Sequence, residues 1–398
     1  MAAVPRLTII ADDLTGAMDA AAPLAERGLS TWVVADADQY VSHSLAQVQA
    51  LSINAGSRHL ASEEAVQRVR ALSSQLLDAG SGILIKKIDS TLRGNAVAET
   101  LALLEASGRA AAVVAPAFPR QRRTLVAGVV HVHGVPLAHT ELGRDTLSPP
   151  PTEPLHVLFR AAAPHAEVRL VARGASLVLS RMWRRQLLAV DAHSDEDLRR
   201  TVRSLSNQLS DTLLVGSAGI AEAVAHTCFE PAREPFAVPE VREQVLFVVG
   251  SRTEQSAHQV RALIESDQAR LIAAPGGCVD LSAALAAPEA LLVIKAEADS
   301  GATQMDAPEV ARRLADAAGT LIARRPIAAL VMTGGDTAFA VLQRLSQATL
   351  QVMGNLLPGI PFSRIRFGTR ELWLVTKAGA FGSRDALLTV AQRLRGNA

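Results

Sequence analysis

The sequence predicts an α/β protein with two domains, each built on a mainly parallel sheet, and the two facing a common cleft. Short apolar runs typical of buried strands alternate with longer amphipathic segments in both halves of the chain. The length of 398 residues exceeds what a single hydrophobic core usually serves. Residues 229–241 are rich in Pro, Glu and Arg and lack periodicity. We therefore place a linker there and expect domains of residues 1–235 and 236–398.

Apolar runs locate the strands of the two expected sheets. In the first half these runs are residues 7–10, 31–35, 50–53, 82–85, 112–115, 167–171, 187–191 and 212–216. In the second half they are residues 245–249, 290–294, 328–332 and 371–375. Segments with helical periodicity lie between them, including residues 15–26, 62–79 and 96–106. Residues 129–152 break this alternation with His, Gly and Pro, which predicts a loop or hairpin.

Composition and charge exclude several classes of protein. Hydrophobic residues make up 49% of the chain and charged residues 20%, the balance of a globular protein. The net charge is only +1 and basic residues occur in both halves, so nucleic acid is not an expected partner. The start resembles no signal peptide, and no apolar run approaches the roughly 20 residues of a membrane helix. The count of two cysteines, Cys228 and Cys278, fits a reducing compartment, so we expect a cytoplasmic protein. We expect no membrane partner, because no apolar run is long enough.

The segment 86–95, Lys-Lys-Ile-Asp-Ser-Thr-Leu-Arg-Gly-Asn, is the first candidate site. It places cations, a carboxylate and hydroxyls where a predicted strand passes into a helix. Open α/β sheets bind ligands at that edge, and a helix N-terminus adds partial positive charge. The segment therefore suits an anionic, hydroxyl-bearing small molecule, held by Lys87, Asp89, Ser90 and Arg93. The alternative is that Asp89 or Ser90 only caps the helix.

Two other strand ends in the first half carry charged side chains. Asp12 and Asp13 follow the first predicted strand and can meet ligand hydroxyls or act as a general base. Adjacent side chains diverge, so we expect Asp12 to face the sheet edge as the catalytic residue and Asp13 to suit helix capping. Which of them is the base stays open. Arg58 follows the third strand, where it can clasp a carboxylate with two parallel hydrogen bonds or simply be solvated.

Three strand ends in the second half carry glycines, which let backbone N–H groups approach a phosphate. The sequence contains neither a P-loop nor a GxGxxG fingerprint, so a nucleotide would be held by a different set of loops. The alternative is a tight turn with Asp336 or Thr337 as helix cap. The candidate nucleotide-binding residues are Ser251, Gly334, Gly335, Asp336, Thr337, Lys377 and Gly379.

A metal site is not apparent from the sequence. His131 and His133 lack a third ligand at metal spacing, and the metal ligands stay unknown.

Taken together, an ordered set of motifs resembles the four-carbon acid sugar kinase family, which phosphorylates tetronate-type sugar acids with ATP. The motifs are ADDLTGA at 11–17, SR at 57–58, KKIDSTLRGN at 86–95, PAFP at 116–119, GSAG at 216–219, GSR at 250–252, TGGDTA at 333–338, PGIP at 358–361 and KAGAFG at 377–382. The resemblance implies an N-terminal domain for the sugar acid and a C-terminal domain for ATP. It places the substrate on Asp12, Asp13, Arg58 and the segment Lys87, Ile88, Asp89 and Ser90.

The chain departs from the family pattern in three places. Asn54-Ala55 stands where an acidic residue and a threonine are usual, and Arg122 stands in place of the glycine of Gly-Arg-Thr. Ala127 stands where an aspartate is common. We expect the first and third departures to lie near the substrate and to affect which acid is used rather than the class of reaction.

The expected function is an ATP-dependent kinase acting on the terminal C4 hydroxyl of threonate, erythronate or 3-oxo-tetronate. Phosphoryl transfer depends on positioning and on neutralisation of charge, with Mg²⁺ bridging the phosphates of ATP. Arg58 and the group Lys86, Lys87 and Arg93 would hold the carboxylate of the acid, and Lys377 with the glycine loops would hold the phosphates. A sugar-acid or nucleotide sensor without chemistry, or a kinase for a hydroxy amino acid, remains an alternative. Whether the chain forms a homodimer stays open.

Overall fold

The computed structural model describes residues 5–39, 47–77, 82–144, 149–180, 185–232, 237–238, 240–266, 269–297 and 306–396. The chain divides into two compact units. One comprises Met1–Val33 and Val41–Glu234, and the other comprises Val34–Tyr40 and Pro235–Ala398. Residues 233–236 and 239 of the expected linker lie outside the described residues. The predicted α/β class with mainly parallel sheets is confirmed in both units. The common cleft stays a prediction.

The first unit contains all eight strands predicted in the first half of the sequence. Its strands are β1 (Leu7–Ala11), β2 (Thr31–Val34), β3 (Ala50–Asn54), β4 (Ile83–Lys87), β5 (Ala111–Ala115), β6 (Arg123–Val126), β7 (Val129–Val132), β8 (Val135–Pro136), β9 (Glu167–Val171), β10 (Gln186–Val190) and β11 (Thr212–Gly216). Its helices are α1 (Leu14–Glu26), α2 (Ser62–Leu77), α3 (Ala96–Ala106), α4 (Leu155–Ala162), α5 (Asp195–Ser204) and α6 (Ala218–Cys228). The last two residues predicted for α2 lie outside the described part.

The order of strands in the first unit brings five strand ends to one level. The sheet runs β2-β3-β1-β4-β11-β5-β10-β9, and the pairs from β3 to β9 are parallel. Ala11 is level with Asn54 on one side and with Lys87 on the other, and Gly216 is level with Lys87 and Ala115. The loops that follow these strands therefore meet at the same edge of the sheet. Leu7, Ile9 and Ile85 are fully buried beneath that edge.

Strand β4 is longer than the sequence predicts, since it ends at Lys87 rather than at residue 85. Lys86 and Lys87 are therefore strand residues, and successive side chains in a strand point to opposite faces. Strands β6, β7 and β8 form a separate antiparallel sheet, which is the predicted hairpin excursion but begins earlier, at Arg123.

Seven strands, with helices packed against them, make up the sheet in the described part of the second unit. Its strands are β12 (Gln244–Val249), β13 (Ala269–Pro275), β14 (Leu291–Glu297), β15 (Ile327–Thr333), β16 (Thr349–Leu357), β17 (Ile360–Phe367) and β18 (Arg370–Lys377). Its helices are α7 (Glu254–Ile264), α8 (Leu281–Ala286), α9 (Ala307–Arg324), α10 (Gly335–Arg344) and α11 (Ala386–Leu394). Strands β13, β16 and β17 were not predicted.

The strand order β13-β14-β12-β15-β18-β17-β16 places three glycine-bearing loops side by side. Strands β12, β15 and β18 are parallel neighbours, with Val249 level with Thr333 and Thr333 level with Lys377. Strand β17 is antiparallel to both β16 and β18. Among the described residues, no helix combines the length and the apolar character needed to cross a bilayer.

Candidate active site

Arg58 joins the carboxylates that follow β1. Its Nε donates to Asp12 Oδ2 at 2.8 Å, and Nη1 and Nη2 donate to Asp13 Oδ2 and Oδ1 at 2.7 and 2.8 Å. Nη2 also lies 3.8 Å from Asp89 Oδ1. Three of the five guanidinium N–H groups are thus committed to Asp12 and Asp13. This differs from the prediction that Arg58 clasps the carboxylate of a substrate, because its partners here belong to the protein.

Asp13 caps helix α1, as the sequence predicts. Its Oδ1 accepts from Gly16 N at 2.9 Å, and its Oδ2 accepts from Thr15 Oγ1 at 2.6 Å. Burial disfavours the ionised form, but Arg58 and Lys87 outweigh burial and lower the pKa of the Asp13 carboxyl. Asp13 is therefore an ionised cap and a weak base.

Asp12 keeps one carboxylate oxygen without a partner. The residue is 3% exposed, and its Oδ2 is held by Arg58. Within the described ranges, Oδ1 has no hydrogen-bond donor. Buried carboxylate oxygens nearly always have a donor, so this atom is suited to accept a hydrogen bond from a ligand hydroxyl.

The loop after β4 holds Asp89 firmly. Arg93 Nε and Nη2 donate to Asp89 Oδ2 and Oδ1 at 3.1 and 3.0 Å, and Thr91 donates from both its N–H and its hydroxyl. Burial would raise the pKa of Asp89, but Arg93 and Arg58 hold it well below its usual range. The alternative that Asp89 or Ser90 caps the next helix is wrong, because α3 begins at Ala96.

Lys87 and Ile88 are joined by a hydrogen bond at the edge of the sheet where β4 ends. The Lys87 ammonium donates to the Ile88 carbonyl at 2.9 Å, and the Ile88 N–H donates to Gly216 O at 2.8 Å. A Cβ added to Gly16 would stand 2.6 Å from Lys87 Nζ, so the glycine leaves room for this lysine against α1. Lys87 therefore points its charge at the start of α1, and Ile88 has a structural role in holding it.

Lys86 does not belong to the site, contrary to the prediction that grouped it with Lys87. It lies on the opposite face of β4, fully buried, with its ammonium 2.7 Å from Glu99 Oε2 on α3. Burial outweighs the attraction of Lys86 and raises the pKa of the Glu99 carboxyl. This ion pair stabilises the packing of α3 on the sheet and is not accessible to a ligand.

In the second unit, two glycines allow the adjacent loops to pack closely. A Cβ at Gly379 would stand 2.2 Å from Ser251 Oγ, and one at Gly250 would stand 1.9 Å from Thr337 Oγ1. Both distances are far below contact, so a larger residue would force the loops apart. Ser256 Oγ further ties them by donating to Gly379 O at 3.1 Å.

Helix α10 begins without a side-chain cap. Gly334 is the N-cap residue, in a positive-φ conformation (φ 103°), and the first backbone bond of the helix is Ala338 N to Gly334 O at 3.0 Å. The N–H groups of Gly335, Asp336 and Thr337 precede that bond and are the ones a helix offers to an anion. The alternative that Asp336 or Thr337 caps the helix is wrong, because both lie inside its first turn.

Lys377 departs from its predicted role in holding phosphate. Its ammonium is fully buried and donates to the carbonyl oxygens of Ala378, Gly379 and Phe381 at 2.9, 2.9 and 3.0 Å. All three of its hydrogens are used, so it fixes the shape of the loop after β18. Burial lowers the pKa of Lys377 to about 7.

Comparison with known proteins identifies the chain. A family model described as a sugar-binding N-terminal domain matches residues 7–224, and one described as a nucleotide-binding C-terminal domain matches residues 246–387. The chain is 32% identical to the D-threonate kinase of Bordetella bronchiseptica, over 98% of both chains. It belongs to the four-carbon acid sugar kinase family. The family consists of phosphotransferases that act on a hydroxyl group, so the chain is an enzyme of that class.

Other relatives in the family carry different substrate names. The chain is 28% identical to the D-erythronate kinase of Heliobacterium modesticaldum, over 98% of this chain and 97% of the relative. It is also 28% identical to the 3-oxo-tetronate kinase of Methylobacterium radiotolerans, over 95% of this chain and 97% of that relative. A solved structure of a Salmonella typhimurium LT2 protein has the same fold, with a TM-score of 0.74 and 21% identity, covering 96% of this chain and 98% of that one.

The structure explains one departure from the family pattern and gives the local setting of the other two. Arg122 has φ 53° and ψ 39°, the left-handed conformation that the usual glycine adopts without cost. Ala127 lies in the turn between β6 and β7, where its N–H donates to Asp191 Oδ2 at 2.8 Å. Asn54, which ends β3, accepts from Gly56 N at 2.9 Å within the loop that leads to Arg58. Asn54 therefore shapes the loop that leads to Arg58.

Sequence reasoning missed two residues that lie beside the candidate site. Arg123, the first residue of β6, is 7% exposed and donates from Nη1 to Ser90 Oγ. Asp19 lies in α1, three residues beyond Gly16, and its charge interacts with those of Lys87 and Asp13. In the described part of the chain, no group of three His, Cys, Asp or Glu residues is arranged to hold a metal ion.

Proposed function

We propose that the chain is an ATP-dependent kinase that transfers phosphate to the terminal C4 hydroxyl of a four-carbon sugar acid. The candidate acids are threonate, erythronate and 3-oxo-tetronate, after the relatives of those names. The observation that carries the proposal is the buried Asp12 carboxylate, whose Oδ1 lacks a donor within the described residues. It lies in the unit that the sugar-binding family model matches. A hydroxyl-bearing ligand would supply the missing donor.

The sugar acid would bind at the ends of β1, β3 and β4. Asp12 Oδ1 would accept the hydrogen of a hydroxyl, while Arg58 holds Asp12 and Asp13 side by side. Lys87 and Arg93 supply positive charge for the carboxylate of the acid, at the edge where the loop after β4 begins. Electrostatic interactions of this kind fix the orientation of a small acid and keep its terminal hydroxyl in place.

ATP would bind at the ends of β12, β15 and β18. The N–H groups of Gly335, Asp336 and Thr337 face the phosphates, and the loops of Ser251 and Gly379 pack closely enough to line them. Mg²⁺ usually binds proteins through one or two carboxylates together with substrate phosphates. The exposed Asp336 carboxylate in the first turn of α10 is suited to hold it there. Bound Mg²⁺ would neutralise charge on the phosphates.

Substitution of Gly335 by valine tests the nucleotide half of this proposal. Gly335 has a helical backbone conformation, so Gly335→Val should fold, but its side chain would stand where phosphate approaches the N–H groups. Calorimetry should then show loss of ATP binding and unchanged binding of the sugar acid. Ala340→Val, in the same helix but away from its start, is the matched control and should bind ATP normally. Retained ATP affinity in Gly335→Val would remove the start of α10 from the nucleotide site.

A further inference from the structure

Lys377 carries a buried positive charge that is bound by carbonyl oxygens. The residue ends β18 and is fully buried, and its ammonium donates to the carbonyl oxygens of Ala378, Gly379 and Phe381 at 2.9, 2.9 and 3.0 Å. Within the described residues, no carboxylate forms an ion pair with it. Burial of a charge is costly unless the charge is paired as well as hydrogen-bonded. A bound anion close to this loop would therefore stabilise the ammonium.

The same hydrogen bonds set the direction of the peptide groups in the loop of residues 378–381. In a trans peptide the N–H points opposite to the C=O. Because the carbonyls of Ala378 and Gly379 point towards the ammonium, the N–H groups of Gly379 and Ala380 point away from it. In the part of the chain that the structure describes, neither N–H has an acceptor. Gly379 is half-buried and Ala380 is exposed, so two adjacent N–H groups at the surface are available to an anion.

The loop of residues 378–381 is joined to the two other candidate nucleotide loops. Gly379 O, which accepts from the ammonium, also accepts from Ser256 Oγ at 3.1 Å. Ser256 Oγ lies 3.0 Å from Ser251 Oγ, in the loop after β12. On the other side, Lys377 O accepts from Gly334 N at 3.0 Å, and Gly334 is the N-cap residue of α10. All of these residues lie in the region that the nucleotide-binding family model matches.

We propose that Lys377 is a positioning residue of the ATP site, a role that rests on the kinase activity proposed above. The ammonium turns the carbonyls of the loop inward, and the N–H groups of Gly379 and Ala380 then bind a phosphate oxygen of ATP. Lys377 uses its own hydrogens within the loop, so it acts through these N–H groups and does not touch the phosphate. The phosphate in turn supplies the negative charge that the buried ammonium lacks.

Calorimetric titration of Lys377→Met with ATP tests this role. Methionine fills nearly the same space but cannot donate to the carbonyls. We expect the Kd for ATP to rise about 10–10²-fold, as for loss of a hydrogen bond to a charged group, and the Kd for the tetronate to stay unchanged. In steady-state kinetics the KM for ATP should rise with little change in kcat. Leu374→Ala, fully buried on the same strand, is the matched control, which should lower the unfolding free energy and leave the Kd for ATP unchanged.

Chemical rescue of Lys377→Ala separates the effect of the ammonium from that of packing. The n-propylammonium ion has the carbons and the nitrogen that this substitution removes. It should lower the Kd of Lys377→Ala for ATP towards that of the unaltered chain. The neutral alcohol n-propanol has nearly the same shape and should not do so. Restoration by the ion alone would show that a positive charge with several N–H donors is what the loop requires.

The outcomes separate this inference from the proposed function. If the unaltered chain binds ATP and Lys377→Met binds it as tightly, Lys377 has no part in the nucleotide site. An equal loss of ATP affinity in Leu374→Ala, or equal rescue of Lys377→Ala by n-propanol, would also overturn the inference and assign Lys377 a role in packing only. If the unaltered chain does not bind ATP, the proposed function fails and the positioning role fails with it.

Discussion

Arg58 and Asp13 form a two-bond guanidinium–carboxylate pair, with Nη1 2.7 Å from Oδ2 and Nη2 2.8 Å from Oδ1. Their side chains are 11% and 17% exposed, and the third bond of Arg58 goes to Asp12. One cation thus serves two adjacent carboxylates at the end of β1. This allows Asp13 to remain ionised in a buried setting, where a carboxylate without a cation would be costly.

Removal of Arg58 should therefore affect stability as well as activity. Arg58→Ala leaves Asp12 and Asp13 buried without their cation, which typically costs about 3–5 kcal/mol of unfolding free energy. Because Arg58 and Lys87 lower the pKa of Asp13, the pair contributes stability above about pH 4 and loses it as Asp13 becomes protonated at lower pH. The deficit of Arg58→Ala should accordingly shrink below pH 4. Urea unfolding at pH 7 and pH 3.5 measures both. Normal stability with only a raised KM for the acid would mean that Arg58 clasps the substrate after all.

The buried pair of Lys86 and Glu99 should affect stability alone. Glu99→Ala leaves a fully buried ammonium unpaired and should lower the unfolding free energy by about 3–5 kcal/mol. The double substitution Lys86→Met with Glu99→Leu should recover most of it, since well-packed apolar residues often replace a buried pair without loss. Both KM values of the double variant should match those of the unaltered chain. A double variant that is stable but no longer binds the acid would return Lys86 to the substrate site.

Asp19→Asn should make the chain more stable at alkaline pH. The raised pKa of Asp19 means that the folded chain binds its proton more tightly than the unfolded chain. This contribution is fully present below about pH 4 and is lost as the pH rises towards 7. The variant has no ionisable group at this position, so its stability does not fall as the pH rises. It should be more stable than the unaltered chain by on the order of 2 kcal/mol at pH 8 and hardly different from it at pH 4. Thermal unfolding at the two pH values tests this. An equal change of stability at pH 4 and pH 8 would indicate that Asp19 does not titrate between these pH values.

Several features of the fold and of the site follow from sequence patterns, and others depend on long-range pairing. The strand ends at Asp12 and Arg58 and the cap at Asp13 are local, and they could be predicted. That Arg58 binds Asp13 follows from β1 lying beside β3, which no local pattern specifies. Lys86 and Lys87 look like the end of a strand by composition, yet β4 continues through both and separates them to opposite faces. Strand β16 was missed because Met353 at an outward position and Gly354 at an inward one interrupt its apolar–polar alternation.

Arg122 provides a test of backbone strain that is independent of the chemistry. Its left-handed conformation is unfavourable for a residue with a Cβ, so Arg122→Gly should raise the unfolding free energy by about 0.5–1 kcal/mol. Arg122→Ala removes the same side chain but keeps the strain, and it should not be stabilised. Activity should be unchanged in both, because Arg122 is exposed and only Arg123 contacts Ser90. Urea unfolding of the two variants decides the matter. Equal stabilisation in both would show that the side chain, and not the backbone, is unfavourable.

Release of ADP from ATP and Mg²⁺ tests the central claim most directly. The acids to compare are both enantiomers of threonate and erythronate, the 3-oxo-tetronates and a four-carbon hydroxy amino acid. We predict saturable ADP release with at least one tetronate, and a product that carries phosphate on its C4 oxygen by phosphorus and carbon NMR. Turnover with the hydroxy amino acid alone would support the alternative substrate class. Binding of a tetronate and of ATP with no ADP release above the rate without acid would contradict the account and would indicate a sensor.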